Sequence, residues 1–239
     1  VQYNMSPETL LNSNKGDVCV AANGAAFTKK FQGMLPRIII NYSDERKAIK
    51  KDMLAAMQAN QNNWSLDTER EINRLENRQM SIKILLNSLY GALGNKWFRY
   101  FDQRVAEGIT TSGQLAILTA EKAMNTEMNK VLKTDKDYVI AIDTDSLYVN
   151  FGPLVDKLKP KDIVKTLDTV CNDHFTKALN KAYNELATKT NAYTNRMVME
   201  REVIADRGIW TAKKRYILNV HNSEGVQYAE PKLKIMGIE

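Results

Sequence analysis

Hydrophobic and polar positions follow the period of an amphipathic helix along residues 65–94. The apolar positions recur three, four, seven and eleven residues after Ile82, at Leu85, Leu86, Leu89 and Leu93. Three further helices are predicted over residues 37–60, 102–132 and 160–188. The polar stretch 58–64, rich in Asn and Gln, joins the first two helices, so we expect these to form an antiparallel hairpin.

Two short apolar runs, Tyr138–Ile142 and Leu147–Phe151, have the length of β-strands and enclose a tight turn of four residues. Further strands are predicted at about residues 196–205 and 209–220, and residues 1–36 are expected to be irregular or strand-like. Helices interleaved with antiparallel strands indicate an α+β fold.

The turn between the two runs places Asp143 and Asp145 one residue apart. Two carboxylates this close are costly unless a positive charge lies between them. Mg²⁺ suits such a place, because it binds a few carboxylate oxygens and leaves its other positions to water and phosphates. An acidic surface turn is the other interpretation of this motif taken alone. An EF-hand is excluded by spacing, because Leu147 and Tyr148 stand where that loop needs an oxygen ligand and a glycine.

A second candidate motif lies on the polar side of the 65–94 helix. Lys83, Asn87 and Tyr90 follow one another at i, i+4 and i+7 and therefore share a face. A cation, an amide and a phenol on one face can bind a polyphosphate and contact a base pair. Gly91 and Gly94 allow another backbone or a nucleic acid to approach closely. An ordinary solvated face is the alternative, although each helical glycine costs about 1 kcal/mol.

Composition narrows the class of protein without deciding its function. The net charge of +6 favours a polyanionic partner, although solubility alone would also account for it. Cys19 and Cys171 are too few for a disulfide framework and lack metal-site spacing, which fits a reducing cytoplasm. The sequence contains no run of about 18 apolar residues, so no membrane span is predicted. The basic residues form two local clusters: Arg46, Lys47, Lys50 and Lys51, then Lys213, Lys214 and Arg215.

The two motifs, KxxxNSLYG at residues 83–91 and DTDS at residues 143–146, resemble motifs B and C of the family B DNA polymerases. Within this family, the chain most resembles the replicative polymerases of T4-like bacteriophages. Four segments carry this resemblance: SPETL, NSLYGALGNKWFRY, KKRY and AEPKLKIMG. The resemblance covers nearly the whole chain. It implies a polymerase palm, an antiparallel sheet with packed helices, and a fingers subdomain made of a helical hairpin. Residues 1–32 would be the first part of the palm, 33–95 the fingers, and 96–239 the second part of the palm.

By this resemblance the protein is a DNA-directed DNA polymerase, which adds dNTPs to a primer 3′-hydroxyl by two-metal phosphoryl transfer. Asp145 would bridge two Mg²⁺ ions, with Mn²⁺ as an alternative metal. Asp143 and Glu202 would be the further acidic residues of the metal site. The residues just before Asp143 are Ala141 and Ile142, where the family usually has Tyr-Gly.

The resemblance also implies two sets of substrate-binding residues. The dNTP would contact Arg46, Lys50, Lys83, Asn87, Tyr90 and Gly91. The DNA would contact Lys213, Lys214, Arg215 and Tyr216. If these last four lie in a strand, Lys214 and Tyr216 share one side of it.

In the family, the first metal-binding Asp lies in a DxxSLYPS motif shortly before the segment matching residues 6–9. The chain begins at Val1 after that motif, so we expect an incomplete piece that is inactive in isolation. Its partners would be primer–template DNA, dNTPs, and the exonuclease, thumb and N-terminal domains or a complementary subunit. A sliding clamp would be contacted only through those other regions. The expected location is the cytoplasm of a bacterial host cell, without a membrane partner.

Two rival classes of function stay open. The chain could bind nucleotide or DNA without catalysis, as a remnant or as one subunit of a split polymerase. It could also be another palm polymerase, such as a reverse transcriptase or an RNA polymerase. Those enzymes usually carry adjacent aspartates in their hairpin, whereas Thr144 separates the two in this chain.

Overall fold

A computed structural model describes residues 1–237, with side chains throughout except at residues 58, 61 and 62. The predicted α+β fold is confirmed: long helices combine with antiparallel sheets. The chain forms two compact units, residues 1–112 with 190–196, and residues 113–189 with 197–239. The last two residues of the second unit, and of the predicted 96–239 segment, lie outside the described residues. Within residues 1–237, no helix has the length and apolar character needed to cross a membrane.

The first unit begins with a short 3-10 turn, Pro7–Thr9, and a small antiparallel sheet. Its strands β1 (Leu10–Leu11), β2 (Val18–Val20) and β3 (Ala26–Thr28) lie in the order β1-β3-β2.

Residues of the first turn cap the helix that follows the sheet. The Asn4 side chain is fully buried, donates to the carbonyls of Thr28 and Phe31, and accepts from the Gly33 amide at 2.8 Å. Ser6 and Glu8 accept from the next two amides, those of Leu35 and Met34. The unpaired donors at the start of the helix are therefore satisfied from outside it.

That helix is the first member of a long helical hairpin. Helix α1 covers Met34–Asn62 and α2 covers Leu66–Leu93. Helix α1 begins three residues before the predicted start at residue 37, because a proline such as Pro36 is tolerated in the first turn of a helix. Ser65 caps α2 by accepting from the Thr68 amide at 3.1 Å. The seam between the helices is apolar and consists of Ile49, Met53, Leu75 and Ile82, flanked by Ile72 and Leu86.

The second unit has one large core. Helix α3 (Gln103–Leu132) begins in the first unit and continues into the second. It is followed by β4 (Val139–Asp143), β5 (Ser146–Val149), α4 (Gly152–Leu158) and α5 (Ile163–Val170). A π-helical stretch, Cys171–Phe175, joins α5 directly to α6 (Thr176–Lys189). The core is formed by Ala120, Met124, Met128, Tyr138, Leu154, Phe175, Leu179, Tyr183 and Leu186.

A three-stranded antiparallel sheet completes the second unit. It consists of β6 (Val203–Ala212), β7 (Arg215–Ser223) and β8 (Val226–Met236), in that order. The predicted strand bounds are wrong here: residues 196–202 are not in a strand, and the predicted 209–220 strand is interrupted at Lys213–Lys214. The two lysines form the turn between β6 and β7, with Lys214 at φ 63°. Helix α4 and strand β8 are additions to the predicted elements.

Candidate active site

The hairpin of β4 and β5 presents the two predicted carboxylates at its tip. Asp143 pairs with Ser146 at the end of the ladder, so Thr144 and Asp145 form the turn. Thr144 has φ 55°, a region that β-branched residues rarely adopt, and the Asp145 amide donates to the Asp143 carbonyl at 2.6 Å. Residues held in such conformations are often found at functional sites.

The two carboxylates differ in environment. Asp143 is half-buried and Asp145 is exposed. The Thr144 hydroxyl donates to Asp143 Oδ1 at 3.0 Å, and the Ser146 hydroxyl donates to Asp145 Oδ1 at 3.4 Å. The first bond orients Asp143, whereas the second contact is long for a hydrogen bond between oxygen atoms. The turn thus offers oxygen atoms of two neighbouring carboxylates.

Glu202 is the third predicted acidic residue. Its charge and that of Asp143 both affect the pKa of the Tyr148 phenol. Burial raises the pKa of Tyr148 on β5, and a hydrogen bond with Tyr216 and the charges of Asp143 and Glu202 raise it further. The structure therefore brings both carboxylates into electrostatic range of Tyr148. Glu202 also contacts Lys234 on β8, with Oε1 and Nζ 3.3 Å apart.

The backbone at Glu202 is held by the residue before it. The Arg201 side chain is only 9% exposed and forms an ion pair with Asp168 on α5. It also donates to the Asn222 side chain at 2.7 Å and to the Glu202 carbonyl at 3.2 Å. That carbonyl accepts from the Glu224 amide at 2.7 Å as well. Glu202 thus has a defined position although it precedes the first residue of β6.

The basic tetrad at residues 213–216 does not lie in one strand. Lys213 and Lys214 form the exposed turn, and Arg215 begins β7. Tyr216 is 7% exposed and packs against Trp210, so the expectation that it shares a side with Lys214 is wrong. The turn breaks the strand alternation on which that expectation depended. The exposed cations of this tetrad are therefore gathered at the tip of the β6–β7 hairpin.

The predicted nucleotide-binding residues of the first unit all lie on the helical hairpin. Lys83, Asn87 and Tyr90 are exposed on one face of α2. A Cβ built on Gly91 would meet no atom within 4 Å, so this position is open to an approaching group.

Arg46 on α1 is fixed across the seam by a residue that the sequence analysis missed. Its Nε donates to Oε1 of the buried Gln79 at 3.2 Å. Arg46 is therefore level with Gln79, one helical turn before Lys83. Because α1 and α2 are antiparallel, Lys50 and Lys83 lie on opposite sides of Arg46, each about 6 Å away along the hairpin axis. The three basic residues therefore follow one another along the hairpin axis in the order Lys50, Arg46, Lys83.

The model of DNA polymerase family B matches residues 1–239, the whole of the chain. This chain belongs to DNA polymerase family B.

Family B relatives from bacteriophages are similar to the chain, as predicted. The DNA-directed DNA polymerase of Escherichia phage RB69 is 43% identical over 176 residues, which cover 67% of this chain and 20% of the relative. That of Enterobacteria phage T4 is 32% identical over 310 residues, which cover 100% of this chain and 34% of the relative. The chain therefore spans about a third or less of the length of these two relatives.

A solved structure shares the fold. The family B DNA polymerase of the archaeon Pyrobaculum calidifontis matches 98% of this chain and 25% of its own, with a TM-score of 0.50 and 24% identity. At that identity the likeness supports the fold alone.

The donor set of this family B chain fits a divalent cation that takes few protein ligands. Within residues 1–237, no three His, Cys, Asp or Glu side chains form a group able to hold a metal ion. The two carboxylates of the hairpin tip are nevertheless hard oxygen donors. Mg²⁺ is usually bound by one or two carboxylates, with water and substrate phosphates completing its shell. Asp143 and Asp145 are the residues that would hold such an ion.

We expect Arg201→Ala to loosen the segment that holds Glu202. Removing one partner of a largely buried ion pair should lower the local free energy of unfolding by about 2–3 kcal/mol, less than for a fully buried pair. The reason for the smaller value is that the Asp168 side chain is 36% exposed. Hydrogen exchange of the β6 and β7 amides measures the change.

Arg207→Ala is the matched control. The Arg207 side chain is 88% exposed, and its distance of 4.0 Å from Asp206 is long for an ion pair. It should change the same free energy by less than about 0.5 kcal/mol. Equal amide protection in the two variants would show that Arg201 does not anchor the segment.

Proposed function

We propose that this chain is the fingers and most of the palm of a DNA-directed DNA polymerase, which acts on primer–template DNA and dNTPs. Residues 33–95 are the fingers, and residues 1–32 and 96–239 are parts of the palm. The observation that carries the proposal is the β4–β5 hairpin, which holds Asp143 and Asp145 at a fixed turn within a chain that belongs to family B throughout. The proposed place of action is the cytoplasm of a bacterial host cell.

The carboxylates would serve phosphoryl transfer from the dNTP to the primer 3′-hydroxyl. Family B DNA polymerases use divalent metal ions. Asp145 would hold two Mg²⁺ or Mn²⁺ ions jointly, with Asp143 and Glu202 beside them. The chemistry such ions supply is activation of the attacking hydroxyl and stabilisation of the charge on the leaving pyrophosphate. The hydrogen bond from Thr144 would keep the Asp143 carboxylate oriented before the substrates bind.

The helical hairpin would bind the triphosphate. Arg46, Lys50 and Lys83 provide three cations at successive levels of the hairpin, and Asn87 adds an amide donor one turn beyond Lys83. The hydrogen bond to Gln79 uses Nε of Arg46 and fixes the plane of its guanidinium group. A planar guanidinium can donate two parallel hydrogen bonds to a phosphate, whereas lysine acts as a point charge.

Two further surfaces would contact the base pair and the primer. Tyr90 and the open position at Gly91 would lie against the nascent base pair. The exposed turn at Lys213 and Lys214, with Arg215, would contact the DNA backbone near the primer end. Tyr216 would support that turn from within the protein and would not contact the DNA directly, since it is buried.

The remaining parts of the polymerase are expected to complete the activity. The 239 residues contain no DxxSLYPS motif, which in the family carries the first metal-binding Asp. We therefore infer that these residues alone do not catalyse, and that an adjoining domain or a complementary subunit supplies that ligand. The exonuclease, thumb and N-terminal domains, and any contact with a sliding clamp, would belong to those other parts.

Asp145→Ala in the intact polymerase should abolish nucleotide incorporation and leave primer–template affinity largely unchanged. A metal ligand stabilises the transition state and does not hold the duplex. Single-turnover primer extension measures the first effect, and fluorescence anisotropy of labelled DNA the second. Asp156→Ala, which removes an exposed carboxylate from α4, is the control and should extend primers normally. Near-normal extension by Asp145→Ala would refute the metal assignment.

Arg46→Ala and Lys83→Ala should each weaken the use of dNTP while primer–template affinity changes much less. Loss of one charge-assisted hydrogen bond to a phosphate costs about 1.5–3 kcal/mol, which corresponds to an apparent dNTP affinity lower by about tenfold or more. Pre-steady-state incorporation at increasing dNTP concentration gives this affinity. Lys47→Ala is the control, because Lys47 follows Arg46 on α1 and is exposed. Equal apparent affinities for all three variants and the parent would remove the helical hairpin from the nucleotide site.

A further inference from the structure

The end of strand β8 lies against the basic turn at Lys213 and Lys214. Tyr216 on β7 pairs with Met236 on β8, and this pair is the last of the ladder between the two strands. The next residue after Met236 is Gly237, which is thereby brought beside the turn that precedes β7. Gly237 ends the segment AEPKLKIMG, residues 229–237, which contributes no residue to the proposed site.

Gly237 approaches this turn more closely than any residue with a side chain could. A Cβ built on Gly237 would overlap the carbonyl oxygen of Lys214, and it would lie 3.3 Å from the Lys214 carbonyl carbon and from Cγ of Arg215. The carbonyl oxygen belongs to the backbone, so it could give way only if the turn itself moved. Gly237 also has φ 63°, a left-handed conformation that glycine adopts without steric cost.

The turn needs such support because it holds a lysine in an unfavourable conformation. Lys214 has φ 63°, where the Cβ of an L-residue lies close to the following carbonyl oxygen. Strained residues of this kind persist where the surrounding structure over-determines their conformation. On one side the turn is closed by the pair of Ala212 with Arg215 in the β6–β7 ladder. On the other side the Lys214 carbonyl meets Gly237.

A second glycine of the same sheet has a comparable backbone without such a contact. Gly225 lies in the turn between β7 and β8 and has φ 89°. A Cβ built on Gly225 would meet no atom within 4 Å. The turn at Gly225 follows β7, whereas the turn at Lys214 precedes it, so the two turns lie at opposite ends of that strand. The two glycines thus share positive φ and differ in the close approach.

We propose that Gly237 is a positioning residue for DNA binding, which keeps the Lys213–Lys214 turn in the conformation that presents Lys214 to a phosphate of the primer–template duplex. Gly237 does not itself bind the phosphate. The inference rests on the proposed function in one respect, that this turn contacts DNA. It adds that the direction of Lys214 is set from β8, through a backbone contact that only glycine permits.

The test is the affinity of the intact polymerase for primer–template DNA, measured by fluorescence anisotropy at several salt concentrations. We expect Gly237→Ala and Lys214→Ala each to weaken binding about tenfold, as for the loss of one charge-assisted contact. Each should also make the dependence of log affinity on log salt concentration shallower by about 1, because one phosphate contact is lost. Gly237→Asn should behave like Gly237→Ala, since asparagine tolerates positive φ but still adds the Cβ.

Gly225→Ala is the matched control, because it also replaces a glycine of positive φ but places the Cβ in open space. It should bind DNA with the affinity and the salt dependence of the parent. The double variant of Gly237→Ala and Lys214→Ala should bind no more weakly than Lys214→Ala alone, because both changes remove the same contact. Additive losses would show that Gly237 supports the fold independently of Lys214, and this result would overturn the inference.

Lys214→Ala separates this inference from the proposed function. If Lys214→Ala weakens binding while Gly237→Ala and Gly237→Asn bind DNA like the parent, the positioning role fails and the proposed DNA contact stands. If Lys214→Ala binds DNA like the parent, Lys214 does not contact the duplex, and the inference and that part of the proposed function both fail.

Discussion

The placement of two neighbouring carboxylates on one turn is the constraint on which the candidate site of the second unit depends. Asp143 and Asp145 are one residue apart, and a turn must keep them there against their mutual repulsion. The hairpin is held from both faces. Leu147 and Val149 pack into the core of α3 and α6, while Tyr148 packs on Trp210 and Tyr216. A turn supported in this way can keep a strained residue, Thr144, at its tip.

The first unit meets a comparable requirement with positive charge. Arg46 and Lys50 repel each other on one helix face, by a few tenths of a kcal/mol. The hydrogen bond between Arg46 and Gln79, together with the ion pair between Glu45 and Arg78 at 2.7 Å, ties α1 to α2 at the level of these cations. The apolar seam on both sides of this level keeps the two helices aligned. Cations are thus held on a rigid pair of helices, which suits the binding of a flexible triphosphate.

Much of this arrangement could be predicted from the sequence. The DTDS tetrad between two apolar runs predicted the β4–β5 hairpin, and the i, i+4, i+7 spacing predicted the shared face of Lys83, Asn87 and Tyr90. These signals are local, because each depends on residues close in the chain.

What the sequence did not predict depends on contacts between distant residues or on an unusual turn. The turn at Lys213–Lys214 lacks the Asn or Gly that commonly marks a hairpin turn. The sequence pattern therefore predicts one strand, residues 209–220, where the structure has the end of β6 and the start of β7. Strand β8 follows a turn at Glu224 and Gly225, which both have positive φ. Gly225 is a residue type that marks hairpin turns, so it could have indicated this turn from the sequence. The partnership of Arg46 with Gln79, and of Tyr148 with Tyr216, joins residues 33 and 68 positions apart in the chain. No periodicity in one segment indicates such pairs.

Anomalous X-ray scattering from Mn²⁺ in crystals of the intact polymerase, with primer–template DNA and dNTP, tests the central claim most directly. The account predicts an anomalous peak at the tip of the β4–β5 hairpin, within about 2.5 Å of an Asp145 carboxylate oxygen. Asp145→Ala crystals grown in the same way should lack that peak. Mn²⁺ peaks found only away from Asp143 and Asp145 would contradict the account.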